Sequence, residues 1–234
     1  MDRNGFERMY DFYEDLAADY LRKARQQIPA YETLFQMADC LLDRELSTFA
    51  EVLVVGGGGG QEICSIGLDK DWRMTVVDPS EQMCLAAKAR AEEAGIAGRC
   101  EIRAEAVSDL PDAEVFDAAT CILVMHFLSK ERQADLLDAI SRRLKPGALL
   151  VAAHLVARDD PDEHRWMMEF WSDTLVRLGE DPERVAKQIQ DLEHEVTMLR
   201  EDEFLELCEA AGLEYQARIS QTLHFTQWAL RKAE

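Results

Sequence analysis

The sequence predicts an α/β fold with a seven-stranded, mostly parallel sheet and helices on both faces. Short apolar runs alternate with helical stretches along most of the chain, which is the pattern of strands joined by right-handed helical crossovers. One of these runs ends in five consecutive glycines, and two strand-like segments close the chain. We expect the last strand to be antiparallel and to lie at the edge of the sheet.

The N-terminal segment predicts two helices. Aromatic and aliphatic residues recur at helical spacing through residues 6–27, and Ile28 and Pro29 interrupt the pattern. A second helix is expected over residues 31–46. We expect residues 1–48 to form a helical cap on a domain of residues 49–234.

The first two strands flank the glycines. An apolar run at residues 51–55 leads into the glycines at 56–60 and predicts a buried parallel strand. Residues 61–68 have a helical pattern, and residues 74–77 predict the second strand. Ser80 then caps a long helix, because its hydroxyl can accept a hydrogen bond from a free amide of the first turn.

The alternation continues through the middle of the chain. Strands are expected at residues 100–103 and 116–124, and a helix at residues 130–144. The Lys-Pro-Gly sequence at 145–147 is expected to end this helix, because proline and glycine together stop a helix and turn the chain. A fifth strand is expected at residues 148–153.

The chain changes character after the fifth strand. An acidic break at residues 159–162 precedes a helical stretch rich in aromatic residues, and we expect a helical lid over about residues 160–200. A helix over residues 201–211 ends at Gly212, which suits a left-handed cap. Two final strands are expected at residues 214–219 and 223–231.

Composition restricts the class of partner. The formal net charge is −20, which disfavours nucleic acid because phosphate neutralisation requires Lys and Arg. No apolar run approaches the roughly 18 residues of a membrane span. The six cysteines lack metal-ligand spacing. We therefore expect a cytoplasmic protein without a bound metal that acts on a small molecule, and we leave a homodimer open.

The glycine run is the strongest candidate for a binding site. A glycine-rich turn between a strand and a helix lets the main chain approach a ligand closely, because no Cβ intrudes. The dinucleotide spacing GxGxxG fails because Gln61 or Glu62 falls at its last position, and no Gly-Lys-Ser/Thr follows to make a P-loop. The remaining frame is GxGxG, at Gly56, Gly58 and Gly60.

With this frame the chain resembles the class I S-adenosylmethionine (SAM) dependent methyltransferases, which have a Rossmann-like fold. The best-matching motifs lie between residues 52 and 151. In that family an acidic residue ending the second strand binds both ribose hydroxyls, and Asp78 stands at that place. The resemblance implies SAM as the cofactor, bound by these residues: Gly56, Gly57, Gly58, Gly60, Glu62, Asp78, Pro79, Met83, Ala106, Val107 and Leu123.

Two positions depart from the family pattern. Val54 stands two residues before the first glycine, where the family often has an acid. We therefore expect the amino group of SAM to be held by backbone carbonyls or by Glu62. Ala106 stands where an adenine-contacting Asp is often found.

A second, looser resemblance concerns Ile28, Pro29 and Tyr31. Similar elements occur in a methyltransferase subgroup that includes the carboxy-SAM synthases, in which the N-terminal segment folds over the cofactor. Together with the aromatic stretch of the lid, this gives the following candidate substrate and lid residues: Tyr13, Tyr20, Tyr31, Trp166, Phe170 and Trp171.

His126 and His154 are the candidate catalytic bases. Both follow strands on the side where open α/β sheets bind ligands, and an imidazole titrates in a suitable range. The sequence thus predicts an enzyme that transfers a methyl group from SAM to a small-molecule acceptor. Two alternatives stay open: another reaction on SAM such as carboxy-SAM synthesis, for which Arg200 could hold a carboxylate, and a non-catalytic SAM-binding module.

Overall fold

A computed structural model describes residues 17–234 and places seven strands of that range in one sheet. The strands are β1 (Glu51–Val55), β2 (Arg73–Val77), β3 (Cys100–Arg103), β4 (Phe116–Ile122), β5 (Leu144–Leu155), β6 (Leu213–Thr222) and β7 (Phe225–Lys232). Their order is β3-β2-β1-β4-β5-β7-β6. Strands β1 to β5 are parallel, and β7 is antiparallel to both of its neighbours. The predicted seven-stranded, mostly parallel sheet is confirmed.

The described residues also form seven α-helices, which cover both faces of the sheet. One apolar core lies between the sheet and α1, α2, α3, α5 and α6, and the other lies between the sheet and α4 and α7. The helices are α1 (Ala17–Gln27), α2 (Tyr31–Glu45), α3 (Glu81–Glu93), α4 (Lys130–Ser141), α5 (Pro161–Arg177), α6 (Pro182–Glu195) and α7 (Glu201–Ala210).

The strand order reverses at β1. From β1 the chain builds outward to β2 and β3 on one side, and then returns to place β4 on the other side. The connections that leave the carboxyl ends of β1 and β4 therefore run to opposite faces of the sheet. The crevice between those ends is where open α/β sheets bind ligands.

Local signals in the sequence fix several helix starts. The Ser80 hydroxyl accepts from the Met83 amide at 3.3 Å, which confirms the predicted cap of α3. The Asp160 carboxylate accepts from two amides of the first turn of α5, and the helix begins at a proline that needs no amide partner. Helix α7 ends close to Gly212, whose φ of 70° is the left-handed conformation expected there.

Three predicted elements are corrected. Residues 61–68 form turns rather than a helix, because Gly60 and Gly67 at either end of the segment have positive φ angles. Strand β4 ends before Leu123, which adopts a left-handed φ of 62°, so the strand does not continue to residue 124. The antiparallel strand β7 lies between β5 and β6, not at the edge of the sheet.

The Lys-Pro-Gly sequence does not end a helix. Helix α4 ends at Ser141, and residues 145–147 belong to β5. Phe116 pairs with Leu144 whereas Ala118 pairs with Leu149, so the intervening residues of β5 bulge out of register. A bulge accommodates both a proline without an amide donor and the positive φ of Gly147.

Helices α5 and α6 follow β5, where the sequence predicts a lid. Trp171 of α5 is buried, packs edge-on against Phe225 at 5.2 Å, and donates from its indole nitrogen to the carbonyl of Gln27 at 2.9 Å. The Gln27 side chain donates to Gln188 of α6 at 3.0 Å. The pair of helices is therefore attached to both the sheet and the end of α1.

Trp171 and Trp166 provide a matched test of this attachment. Trp171→Ala should lower the free energy of unfolding by about 3–5 kcal/mol, because it removes a buried indole and its hydrogen bond. Trp166 lies on the same helix but is 60% exposed, so Trp166→Ala should cost less than about 1 kcal/mol. Urea denaturation of the two variants measures the difference, and equal losses would contradict the packing described here.

Candidate functional site

The crevice at the carboxyl end of β1 contains the glycine turn. The Gly56 amide donates to the Val77 carbonyl at 2.8 Å, so the turn begins as a direct extension of the β1–β2 pairing. Gly56 has a φ of 69°, and a Cβ there would lie 2.3 Å from a methyl carbon of Val124, after β4. Both the backbone conformation and the space therefore require glycine.

Two further glycines of the turn are also closely packed. A Cβ on Gly57 would lie 2.6 Å from Val76, and one on Gly60 would lie 3.0 Å from the backbone of Ala87 in α3. The turn is thus confined between β2, α3 and the end of β4. Gly58, the middle glycine of the predicted GxGxG frame, lies in the same short 3₁₀ turn.

Side chains from two flanking helices hold the turn from outside. The Arg90 guanidinium of α3 donates to the Gly59 carbonyl at 2.8 Å and to the Gln61 side chain at 3.4 Å. Arg25 of α1 donates to the same Gln61 oxygen at 3.3 Å, and the Gln61 amide donates to Ser65 at 2.8 Å. Helix α1 therefore lies beside the glycine turn.

Asp78 comes directly after β2 and lies next to the turn. Its carboxylate accepts one hydrogen bond, from the Ser80 amide at 2.9 Å, within the part of the chain that the structure describes. Burial raises the pKa of Asp78 to about 6, although the Ser80 amide opposes the shift. A largely desolvated carboxylate with a free oxygen can accept further hydrogen bonds from a ligand.

The neighbours of Asp78 differ in exposure. Pro79 is exposed, whereas Met83 is buried in the first turns of α3 and belongs to neither of the two core clusters. On the next loop, Ala106 is partly exposed and Val107 packs into the core between the sheet and α4. Met83 is thus the best placed of these four to face the crevice with an apolar surface.

A second carboxyl group lies under the turn. Glu62 is 4% exposed, and burial raises its pKa to about 8, with a further contribution from the nearby charge of Asp78. The neighbouring Thr120 hydroxyl on β4 lowers that pKa by a smaller amount. Neither Glu62 Oε1 nor Thr120 Oγ1 has a partner with normal hydrogen-bond geometry among residues 17–234.

Leu123 follows the end of β4 in an unusual conformation. Its φ of 62° is rare for a residue with a Cβ, and its amide donates to the Ala153 carbonyl at 2.6 Å. Strained backbone of this kind concentrates at functional sites. The strain directs the chain so that Val124 packs against Gly56, which closes the crevice from the β4 side.

The two histidines lie together but deep in the protein. His126 and His154 are 4% and 1% exposed, and His154 packs against Phe204 with ring centroids 4.3 Å apart. Burial lowers the pKa of His126 to about 3, with a further contribution from His154. Burial likewise lowers the pKa of His154 to about 4. Both imidazoles are therefore neutral at physiological pH and shielded from water.

The aromatic candidates are dispersed rather than gathered in one pocket. Tyr31 is buried and packs edge-on against Phe35 at 5.0 Å. Trp166 and Phe170 stack on each other at 5.4 Å on the exposed side of α5, opposite the buried Trp171. Tyr13 lies outside the described residues, and Tyr20 lies in α1.

Three residues of this region were missed by the sequence interpretation: Thr120, Gln61 and Arg90. A polar residue inside the apolar run of β4 was the available signal for Thr120. Gln61 and Arg90 carried no signal, because their importance arises from bonds that form only after α1 and α3 pack against the turn.

Among residues 17–234, no helix combines the length and apolarity needed to cross a lipid bilayer. The same residues contain no group of three or more His, Cys, Asp or Glu side chains arranged to hold a metal ion.

Comparison with known proteins agrees with this geometry. Residues 52–147 match a family model described as a methyltransferase domain. That stretch contains the glycine turn, Asp78 and β4. No curated protein sequence matches the chain.

Solved structures share the whole architecture at low sequence identity. An O-methyltransferase family 2 protein from Planctomyces limnophilus, solved with apigenin, is 18% identical with a TM-score of 0.68, and the match covers 100% of this chain and 62% of that one. The 1,6-didemethyltoxoflavin-N1-methyltransferase of Burkholderia thailandensis, solved with 1,6-didemethyltoxoflavin and S-adenosylhomocysteine, is 19% identical with a TM-score of 0.62, covering 96% and 90%. The cyclase SpnF is 18% identical with a TM-score of 0.63, covering 87% and 82%.

Residues 52–147, fewer than half of the residues of the chain, match a methyltransferase domain. The described chain as a whole has the Rossmann-like α/β fold of methyltransferases of known structure.

Gly56→Ala tests how tightly the turn is packed. The substitution should lower the free energy of unfolding by about 3 kcal/mol or more, because it combines a left-handed conformation with a clash against Val124. Gly95 has a similar φ of 72° but nothing within 4 Å of a Cβ, so Gly95→Ala should cost only about 1–2 kcal/mol. Thermal or urea unfolding compares the two, and equal costs would show that Val124 moves aside.

Proposed function

We propose that this chain transfers a methyl group from SAM to a small-molecule acceptor. The observation that carries the proposal is the Asp78 carboxylate, which has a single hydrogen bond and lies beside a glycine turn at the reversal of strand order. That arrangement suits a nucleoside whose ribose hydroxyls donate to the carboxylate while its tail lies along bare main chain.

The glycine turn and the acidic side chains beside it support SAM as the ligand. We propose that the turn at residues 56–60 supports the amino-acid part of SAM, Asp78 binds the ribose, and Met83 packs on the adenine. Val107 and Leu123 would border the adenine and the sulfur, respectively. A net charge of −20 and two buried carboxyl groups favour a cationic ligand. When bound, SAM supplies a methyl group activated by a positively charged sulfur.

We propose that the acceptor is enclosed by a cap at residues 1–48 and a lid at about residues 160–200. The support is the contact between these parts, in which Trp171 and Gln188 both bond to Gln27 at the end of α1. Tyr31 and Trp171 would then hold the enclosure together, because both are buried. Methyltransferases with the same fold are known with the small molecules apigenin and 1,6-didemethyltoxoflavin bound, which supports an acceptor of that size.

The reaction would depend on positioning more than on proton transfer. Well-oriented reactants reach effective molarities of roughly 10⁵ to 10⁸ M. His126 and His154 are poorly suited to act as bases, because both are buried and their pKa values lie at about 3 and 4. We propose that this pair organises the ends of β4 and β5. The acceptor would either react in its deprotonated form or release its proton to water.

A cytoplasmic location is part of the proposal. All six cysteines are unpaired, which suits a reducing compartment. Burial also raises the pKa values of the Cys84 and Cys208 thiols to about 11 and 12, and this keeps both unreactive.

A different reaction on the same scaffold is the second candidate. The cyclase SpnF has the same fold as this chain, so the architecture alone does not dictate methyl transfer. Carboxy-SAM synthesis gains less support, because Arg200 is an exposed residue paired with Asp202 and Glu203 at the start of α7.

Incubation with SAM and a panel of phenols, amines and heteroaromatic acids tests the proposed reaction. Mass spectrometry should detect an acceptor that has gained one methyl group, together with S-adenosylhomocysteine in equal amount. Bound SAM with no methylated product from any acceptor would favour the second candidate or a binding module.

Asp78→Asn tests the ribose contact. The affinity for S-adenosylhomocysteine, measured by isothermal titration calorimetry, should fall about 10- to 100-fold because an amide accepts less strongly than a carboxylate. Asp181→Asn, which alters a carboxylate that caps the distant helix α6, should leave the affinity unchanged.

The affinity of the wild-type protein should also depend on pH through Asp78. Its carboxylate is ionised above a pKa of about 6 and becomes protonated as the pH falls through that value. Binding of S-adenosylhomocysteine should therefore weaken below pH 6, by up to about tenfold per pH unit. In Asp78→Asn the additional decline that begins near pH 6 should be absent, and only the pH dependence contributed by other groups such as Glu62 should remain. Identical pH profiles in both proteins would assign the whole decline to groups other than Asp78.

A further inference from the structure

Glu62 is an acid buried without a compensating charge. Its side chain is 4% exposed, and it forms no ion pair with Lys or Arg within residues 17–234. Neither Glu62 Oε1 nor Thr120 Oγ1 has a hydrogen bond of normal geometry in that range, although the Thr120 hydroxyl lies close enough to Glu62 to lower its pKa. Burial of poorly paired polar groups is costly, and a pair formed only by these two groups would leave oxygen lone pairs that can accept from a further donor.

Glu62 and Thr120 come from segments that lie next to the glycine turn and to β1. Glu62 is the second residue after the glycine turn, and Thr120 pairs in register with Val54 of β1. Val54, Ala118 and Ile122 contribute to the same apolar core, so Thr120 points to the face of the sheet on which Val54 lies. The charge of Asp78 raises the pKa of Glu62, which places the two carboxyl groups within electrostatic reach.

We propose that Glu62 and Thr120 together recognise the ammonium group of the amino-acid part of SAM. This inference rests on the function proposed above. An ammonium has three N–H donors, so it can donate to both unpartnered oxygens at once. The position before the glycine turn at which the family often has an acid is Val54 in this chain. The acid would instead be supplied by Glu62, which comes after the turn.

A purely structural role for Glu62 makes a different prediction. If the carboxyl group only filled space, its replacement would alter the stability of the protein and would affect all nucleoside ligands equally. If it binds the ammonium, its replacement should affect only ligands that carry the amino-acid part. S-adenosylhomocysteine and 5′-methylthioadenosine differ in that part and share the adenosine, so they separate the two roles.

Calorimetric titration of the full-length protein with these two ligands is the first test. Glu62→Gln should weaken binding of S-adenosylhomocysteine about 10- to 100-fold, because a charge-assisted hydrogen bond is lost, and should leave binding of 5′-methylthioadenosine unchanged. Thr120→Val should produce a smaller loss with the same selectivity. Glu81→Gln, which removes an exposed carboxylate from the first turn of α3, is the matched control and should change neither.

Proton release is the second test. Because the pKa of Glu62 is about 8, its carboxyl group is protonated at pH 7 in the ligand-free protein, and binding of an ammonium should transfer that proton to the buffer. Asp78, with a pKa of about 6, is already ionised, and burial keeps the neighbouring Cys121 thiol protonated by raising its pKa. Titrations in buffers of different ionisation enthalpy should show close to one proton released by wild type and none by Glu62→Gln.

The outcomes separate this inference from the function on which it rests. Selective loss of S-adenosylhomocysteine affinity in Glu62→Gln supports the inference. Equal affinities in wild type and Glu62→Gln, or equal losses for both ligands, would overturn it while leaving SAM binding intact. Failure of the wild-type protein to bind either ligand would overturn the cofactor assignment and this inference together. Glutamine has the size of the protonated acid present at pH 7, so the variant should fold.

Discussion

The close packing of the glycine turn is the constraint on which the rest of the site depends. Gly56 has no room for a side chain next to Val124, and Gly60 has none next to α3. The Gly56 amide continues the pairing of β1 with β2 through the Val77 carbonyl. Because Asp78 is the next residue, this one hydrogen bond sets the distance between the bare turn and the carboxylate. The proposed cofactor site is therefore a consequence of strand register.

The same crevice brings two acidic side chains together at a cost in stability. Glu62 has a pKa of about 8 in the folded protein, far above the ordinary value for glutamate. The unfolded chain therefore releases this proton at a lower pH than the folded chain does, and Glu62 destabilises the ligand-free protein progressively as the pH rises toward 8. A cation bound beside Glu62 would remove that penalty. Sites that sacrifice stability in this way are commonly functional.

Much of the fold could be predicted because its signals are local. The bounds of β1 follow from its run of valine and leucine, and the start of α3 follows from the hydroxyl of Ser80. The short strand β3 could be predicted from its place in the alternation of strands and helices. The bulge at residues 145–148 could not be predicted, because Pro and Gly indicate a turn unless the register with β4 is known. The proximity of Glu62 and Thr120 is likewise invisible in the sequence, since it arises from packing between distant segments.

The proposed function leaves the choice of acceptor to parts of the chain other than the sheet. In that proposal the sheet and the glycine turn bind the nucleoside, and the buried His126 and His154 offer no exposed base that would restrict the chemistry. Helix α1 lies beside the glycine turn, and α5 and α6 are attached to the end of α1 through Gln27. If the proposed cap and lid enclose the acceptor, a change in any of these helices alters the boundary of the space that they enclose. Acceptor specificity would then depend on this contact.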